Sequence, residues 1–163
     1  MATSKKVILS ADVFFAFIDR AHTKHEQASA YLRYFAQEEY FLYTDIVSLN
    51  AVYEQVYKDI STSLAKDFMK TVALSNVNII FPDESDLKAT YKTLQLSNST
   101  ELTFAKALIS VLAEKRHIGQ ICTFEYFQPL FGISLFYLPL WKTRNSKLEI
   151  RSNFQENISC NMS

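Results

Sequence analysis

The chain has 163 residues, 48% of them hydrophobic, enough to build one domain around its own core without disulfides or metals. Seventeen basic and seventeen acidic residues cancel, so the total charge announces no nucleic-acid partner and any such binding has to be local. Only two glycines are present, which excludes a glycine-rich phosphate loop, a dinucleotide-binding turn and a glycine-flanked nucleophilic serine.

Targeting signals are equally scarce. Three apolar residues, Val7 to Leu9, are too few for the core of a signal peptide, and the apolar stretch Leu130 to Leu140 is broken by Gly132, Ser134 and Pro139 and too short to span a bilayer. Cys122 lies in an apolar run and Cys160 in a polar one, so they are expected as free thiols of a reducing compartment. The expectation is a cytoplasmic protein with no membrane contact, in which the sequons at Asn98, Asn157 and Asn161 carry no weight.

Along the chain, short apolar strands alternate with amphipathic helices, the pattern of a parallel sheet covered on both faces. Val7 to Leu9 reads as a buried strand, Asp12 to Asp19 as a short helix, and His25 to Gln37 as a helix carrying Ala28, Tyr31, Leu32 and Phe35. Phe41 to Tyr43 is a second strand, after which Thr44 or Asp45 can cap a helix with Ile46, Leu49, Val52, Val56 and Tyr57 on one broad face. A further helix from about Ser63 precedes a strand at Val77 to Phe81, and Asp83 to Leu96 is again helical. Ser97 to Thr100 breaks the chain before a long helix from Thr100 to Arg116, which Gly119 ends. Ile121 to Thr123 and Ser134 to Leu138 complete four to five strands of a three-layer α/β/α sandwich over residues 1–140. Residues 141–163 read as a C-terminal tail with four basic and two acidic residues.

Few residues carry recognisable chemistry. His22 and His25 can share a helix face, but no cysteine joins them and His117 is distant, so surface histidines are the reading. The remaining signal lies at the carboxyl ends of the strands, where open parallel sheets bind their ligands. Val7-Ile8-Leu9-Ser10-Ala11-Asp12-Val13-Phe14 resembles the opening strand and helix of PIN-domain ribonucleases, with Ser10 where that family has an Asp. His22 to Leu32 is similar to the family's polar turn before its second helix. In Thr44 to Val52 the family's Glu falls on Asn50, and in Leu102 to Ile109 its helix-borne Asp falls on Lys106. Ile121-Cys122-Thr123-Phe124-Glu125-Tyr126-Phe127 resembles the family's strand ending in Thr-Phe-Asp, and Glu125 keeps the acid.

The resemblance spans about residues 6–138 and implies the VapC-like ribonuclease fold with a degenerate acidic site. Family nucleases hold one or two Mg²⁺ or Mn²⁺ ions with clustered carboxylates. Ser10, Asn50 and Lys106 remove three of these acids, and Lys106 adds a cation. The implied protein is catalytically impaired, expects no cofactor, and works by binding RNA, a protein partner or a second copy of itself. The alternative is an active Mg²⁺- or Mn²⁺-dependent endoribonuclease, such as the toxin of a toxin–antitoxin pair, with a displaced acidic set of Asp12, Glu54 and Glu125 in which Asp12 and Glu125 hold the metal. Against that set, Asp12 reads as a helix cap, Glu54 as a solvated helix residue and Glu125 as a turn acid paired with Lys106. The many tyrosines, among them Tyr31, Tyr34, Tyr53 and Tyr57, are explained mostly by core packing.

Overall fold

A computed structural model describes residues 5–138, which form five strands and six helices in alternation. Strand β1 (Lys6–Leu9) leads through α1 (Ala11–Ile18) and α2 (His25–Gln37) to β2 (Phe41–Asp45). Helices α3 (Ile46–Asp59) and α4 (Thr62–Leu74) connect to β3 (Asn78–Ile80), and α5 (Glu84–Leu96) and α6 (Phe104–Lys115) to β4 (Gln120–Cys122), which is followed by β5 (Ser134–Leu135). The sheet order is β3-β2-β1-β4-β5 and every neighbouring pair is parallel. The expected three-layer sandwich is therefore present. The tail assigned to 141–163, with Cys160, Asn157 and Asn161, lies outside the described residues.

The layers follow from β1. Val7, Ile8 and Leu9 are fully buried, because strand side chains alternate and both faces of β1 are covered. Val7 and Leu9 pack with Val13, Phe14, Tyr31, Phe35, Leu49 and Phe68, drawn from α1 to α4. Ile8 packs on the opposite side with Leu108, Ile109 and Leu112 of α6 and with Ile121 of β4. An aromatic group closes the first cluster, with Phe35 and Phe136 only 4.5 Å apart between ring centroids and Tyr31 edge-on to Phe136.

Local signals set most helix ends. Asp45 and Ser61 cap α3 and α4 through their side chains, and Asp83 and Asp86 form a reciprocal capping box on α5. One helix start shifts: the last long helix begins at Phe104 rather than Thr100, because Thr103 takes the cap position and accepts the Lys106 amide. Its end stays where expected, with Arg116 at the cap position: His117 adopts a left-handed backbone (φ 54°), with His117 N–H bonded to the Glu114 carbonyl and Ile118 N–H to that of Ala113. Gly119 is then a linker residue ahead of β4.

Helix α5 packs against α6 but buries only Asp86 and Thr90. Its attachment is electrostatic: Asp86 Oδ1 accepts from Lys115 Nζ at 2.9 Å, Asp86 Oδ2 from Arg116 Nη2 at 3.2 Å, and Oδ2 also from the Asp83 amide at 3.1 Å. Burial alone would raise the Asp86 carboxyl, but the bonds from Lys115, the Asp83 amide and Arg116 outweigh it and hold the group below the usual carboxylate range. A lowered acid stabilises the fold above its unfolded value of about 4 and loses that contribution as pH falls through the native one. Asp86→Ala should cost roughly 2–3 kcal/mol in urea unfolding at neutral pH. The difference from the native protein should shrink below about pH 4; an unchanged difference at low pH would refute the assignment.

Candidate functional site

Ser10 follows β1 and Thr123 follows β4, and the sheet order reverses between these two strands. A reversal point leaves a crevice beyond the carboxyl ends of the strands. Here the crevice is a cavity of about 210 Å³. Ser10, Asp45 and Thr103 occupy the N-cap positions of α1, α3 and α6 and all line it, so three helix N-termini meet at one place.

Three of the four positions inferred from the resemblance, Ser10, Lys106 and Glu125, line this cavity, and Asp12 joins them. Asn50 and Glu54 do not: both are exposed on α3, outside the lining. The α3 residues that turn to the cavity are Val47, Ser48 and Ala51. A one-residue step on a helix rotates a side chain by about 100°, and it is Ala51, not Asn50, that reaches the lining. The displaced set of Asp12, Glu54 and Glu125 is therefore not assembled, because Glu54 lies elsewhere.

Asp12 is spent internally. Its Oδ2 accepts from Phe124 N at 2.7 Å, Thr123 Oγ1 at 2.9 Å and Glu125 N at 3.1 Å, while Oδ1 accepts from Val13 N at 2.9 Å and from the Ser10 hydroxyl. The carboxylate sits within the first turn of α1 and fastens the segment after β4 to it. Ser10 adds to the same joint: its amide donates to the Cys122 carbonyl at 3.1 Å, and its hydroxyl, 3.0 Å from that carbonyl, shares its one proton between it and Asp12. Cys122 itself is inert: burial, with Asp12 nearby, pushes its thiol well above the usual range.

Asp45 is a third lining acid, which the sequence indicated only as a cap. It is buried, and its two oxygens accept from the amide and hydroxyl of Ser48 at 2.9 and 2.7 Å. The signal that marks it is its place at the carboxyl end of β2, the same criterion that singles out Ser10 and Thr123. Lys106 reaches over the cavity to Glu125 Oε2 at 3.5 Å, with its ammonium 5.8 Å from the centre of the Phe127 ring. Among the described residues, no group of three or more His, Cys, Asp or Glu side chains is arranged to hold a metal ion. Of the lining acids, Asp12 and Asp45 accept from N–H and O–H donors and Glu125 pairs with an ammonium.

If Asp12 is the fastener of the β4–β5 segment, Asp12→Ala should destabilise the protein by roughly 2 kcal/mol and speed amide exchange at Phe124 and Glu125. Hydrogen exchange followed residue by residue is the check; protection unchanged at those two amides would remove Asp12 from this role.

Comparison with known proteins bears on the fold. No protein-family model matches the chain, and no curated protein matches it. Among solved structures, the fold is similar to that of Mycobacterium tuberculosis VapC20, a sarcin-ricin loop cleaving toxin, at a TM-score of 0.63 and 13% identity. That similarity covers 71% of this chain and 86% of VapC20. FitAcB from Neisseria gonorrhoeae is similar at a TM-score of 0.61 and 14% identity, covering 80% of this chain and 96% of the matched one. No helix among the described residues is long and apolar enough to cross a membrane. The parallel sheet, its order and these likenesses together establish that the chain has a PIN-like fold.

Proposed function

We propose that this chain is a PIN-like domain without metal-dependent nuclease activity, which acts by binding an RNA or protein partner. The observation that carries this reading is Lys106, an ammonium lining the crevice where the fold family gathers carboxylates. Unit charges about 4 Å apart interact by roughly 4 kcal/mol at an effective dielectric of 20. A divalent ion at that distance from Lys106 would meet about twice that repulsion. Ser10 and Ala51 supply no charge to offset it, Asp12 and Asp45 already serve the fold, and Glu125 is paired with Lys106 itself.

The similarity to VapC20, whose described activity is cleavage of the sarcin-ricin loop, keeps RNA among the partner classes and frames the competing reading, an Mg²⁺- or Mn²⁺-dependent endoribonuclease of a toxin–antitoxin pair. The two readings part at the metal. Titration calorimetry with Mn²⁺, run beside an RNA cleavage assay, should show neither uptake nor cleavage for the native chain. A Ser10→Asp, Ala51→Glu, Lys106→Asp variant should acquire Mn²⁺ binding in the micromolar to millimolar range, because three carboxylates would then join Asp12 and Glu125 around one cavity. The same variant with Asn50→Glu in place of Ala51→Glu should bind Mn²⁺ more weakly, since position 50 turns away. Metal-dependent cleavage by the native chain, lost in Asp12→Asn or Glu125→Gln, would replace the inactive reading with the nuclease.

A further inference from the structure

Lys106 is poorly served for a side chain so withdrawn from water. Only 17% of it is exposed, yet the oxygens it reaches are the Glu101 carbonyl at 3.3 Å and Glu125 Oε2 at 3.5 Å. Both lie beyond the range of roughly 2.7–3.2 Å in which N–H···O bonds are well made. An ammonium carries three donors, and one set among apolar walls with long contacts only has unused capacity for an acceptor. Its internal partner is easily given up, because Glu125 is 66% exposed and can turn to water.

The cavity around this ammonium is small and largely apolar, with Val47, Leu108, Ile109, Ile121 and Phe127 in its walls. At about 210 Å³ it is below the roughly 300–1,000 Å³ of sites for drug-sized ligands, so it admits a handful of heavy atoms. The other two acids, Asp12 and Asp45, lie at helix N-termini and are bonded to N–H and O–H donors, which offsets much of their charge but leaves no room for a multiply charged anion.

We propose that this cavity binds an organic carboxylate carried on a short apolar stem, anchored by Lys106 and displacing Glu125 from it. The inference rests on the metal-free reading of the same site. With Glu125 turned to water, a single negative charge takes its place at the one ammonium, and the stem matches the walls; a phosphate would bring more charge toward Asp12 and Asp45 and gain nothing from the apolar lining. Such a carboxylate can come from a free short-chain acid or from a Glu side chain of a partner protein.

The test is calorimetry and ¹⁵N NMR on the full chain with acetate, butyrate and a short peptide holding one blocked Glu. Butyrate should bind more tightly than acetate, by about fourfold per added methylene, with shifts confined to the cavity lining, Ser10, Val47, Thr103 to Ile109 and Ile121 to Phe127. Glu125→Gln should tighten binding about two- to fivefold, by removing the internal competitor. Lys106→Gln should abolish it, with thermal unfolding as the control for folding; should that variant not fold, the Glu125→Gln arm decides alone. Tighter binding of the peptide than of butyrate would identify a partner's Glu as the source, and the reverse order a free acid. Absence of saturation at millimolar butyrate and peptide in both the native chain and Glu125→Gln would overturn the inference, as would inorganic phosphate binding more tightly than either. That failure, with no Mn²⁺ uptake, would sink this inference alone, whereas Mn²⁺ uptake by the native chain would sink the reading beneath it.

Discussion

Strand β1 is hydrogen-bonded to β2 on one side and to β4 on the other, and its three apolar residues are sealed by helices on both faces. Both the layers and the crevice depend on that strand. It divides the core into two clusters by the alternation of Val7 and Leu9 against Ile8. Because the chain adds β2 and β3 on one side and β4 and β5 on the other, β1 also lies at the reversal of strand order, and the residues just past its end border the crevice. A polar or small residue within Val7–Leu9 would disturb both clusters and the crevice at once.

The joint between β1 and β4 shows how hydrogen bonds within the chain hold such a crevice together. A metal centre gains order from the ion, which draws several carboxylates together. In this chain the same task falls to hydrogen bonds: Asp12 gathers the amides of Phe124 and Glu125 and the Thr123 hydroxyl, and Ser10 ties to the Cys122 carbonyl. Lys106 then adds a positive charge paired with Glu125.

Helix α5 illustrates a different economy. It presents Leu87 and Tyr91 to solvent and holds to α6 chiefly through the buried carboxylate of Asp86 and its two basic partners. A carboxylate so enclosed is tolerable because every one of its bonds is charge-assisted or from a backbone amide. The outer layer is consequently more sensitive to acid than the apolar clusters around β1.

Alternating apolar runs and helical stripes were enough to place all five strands and six helices in order, since burial periodicity is a local property of the chain. A cap residue such as Asp45 is local as well, whereas the start of α6 fell at Phe104 rather than Thr100 because Thr103 accepts the Lys106 amide. The strand-end criterion, aided by the family resemblance, brought out Ser10, Lys106 and Glu125. Rotation about a helix axis is less legible: with Ile46, Leu49, Val52 and Val56 buried or half-buried along a broad stripe, residues 50 and 51 both lie at its margin, and only the packing of α3 on the sheet turns Ala51 rather than Asn50 to the cavity. The service of Asp12 to three donors more than a hundred residues away, and the long, loose contacts of Lys106, are likewise decisions of the tertiary structure, because they depend on the distance between segments that the sheet alone brings together.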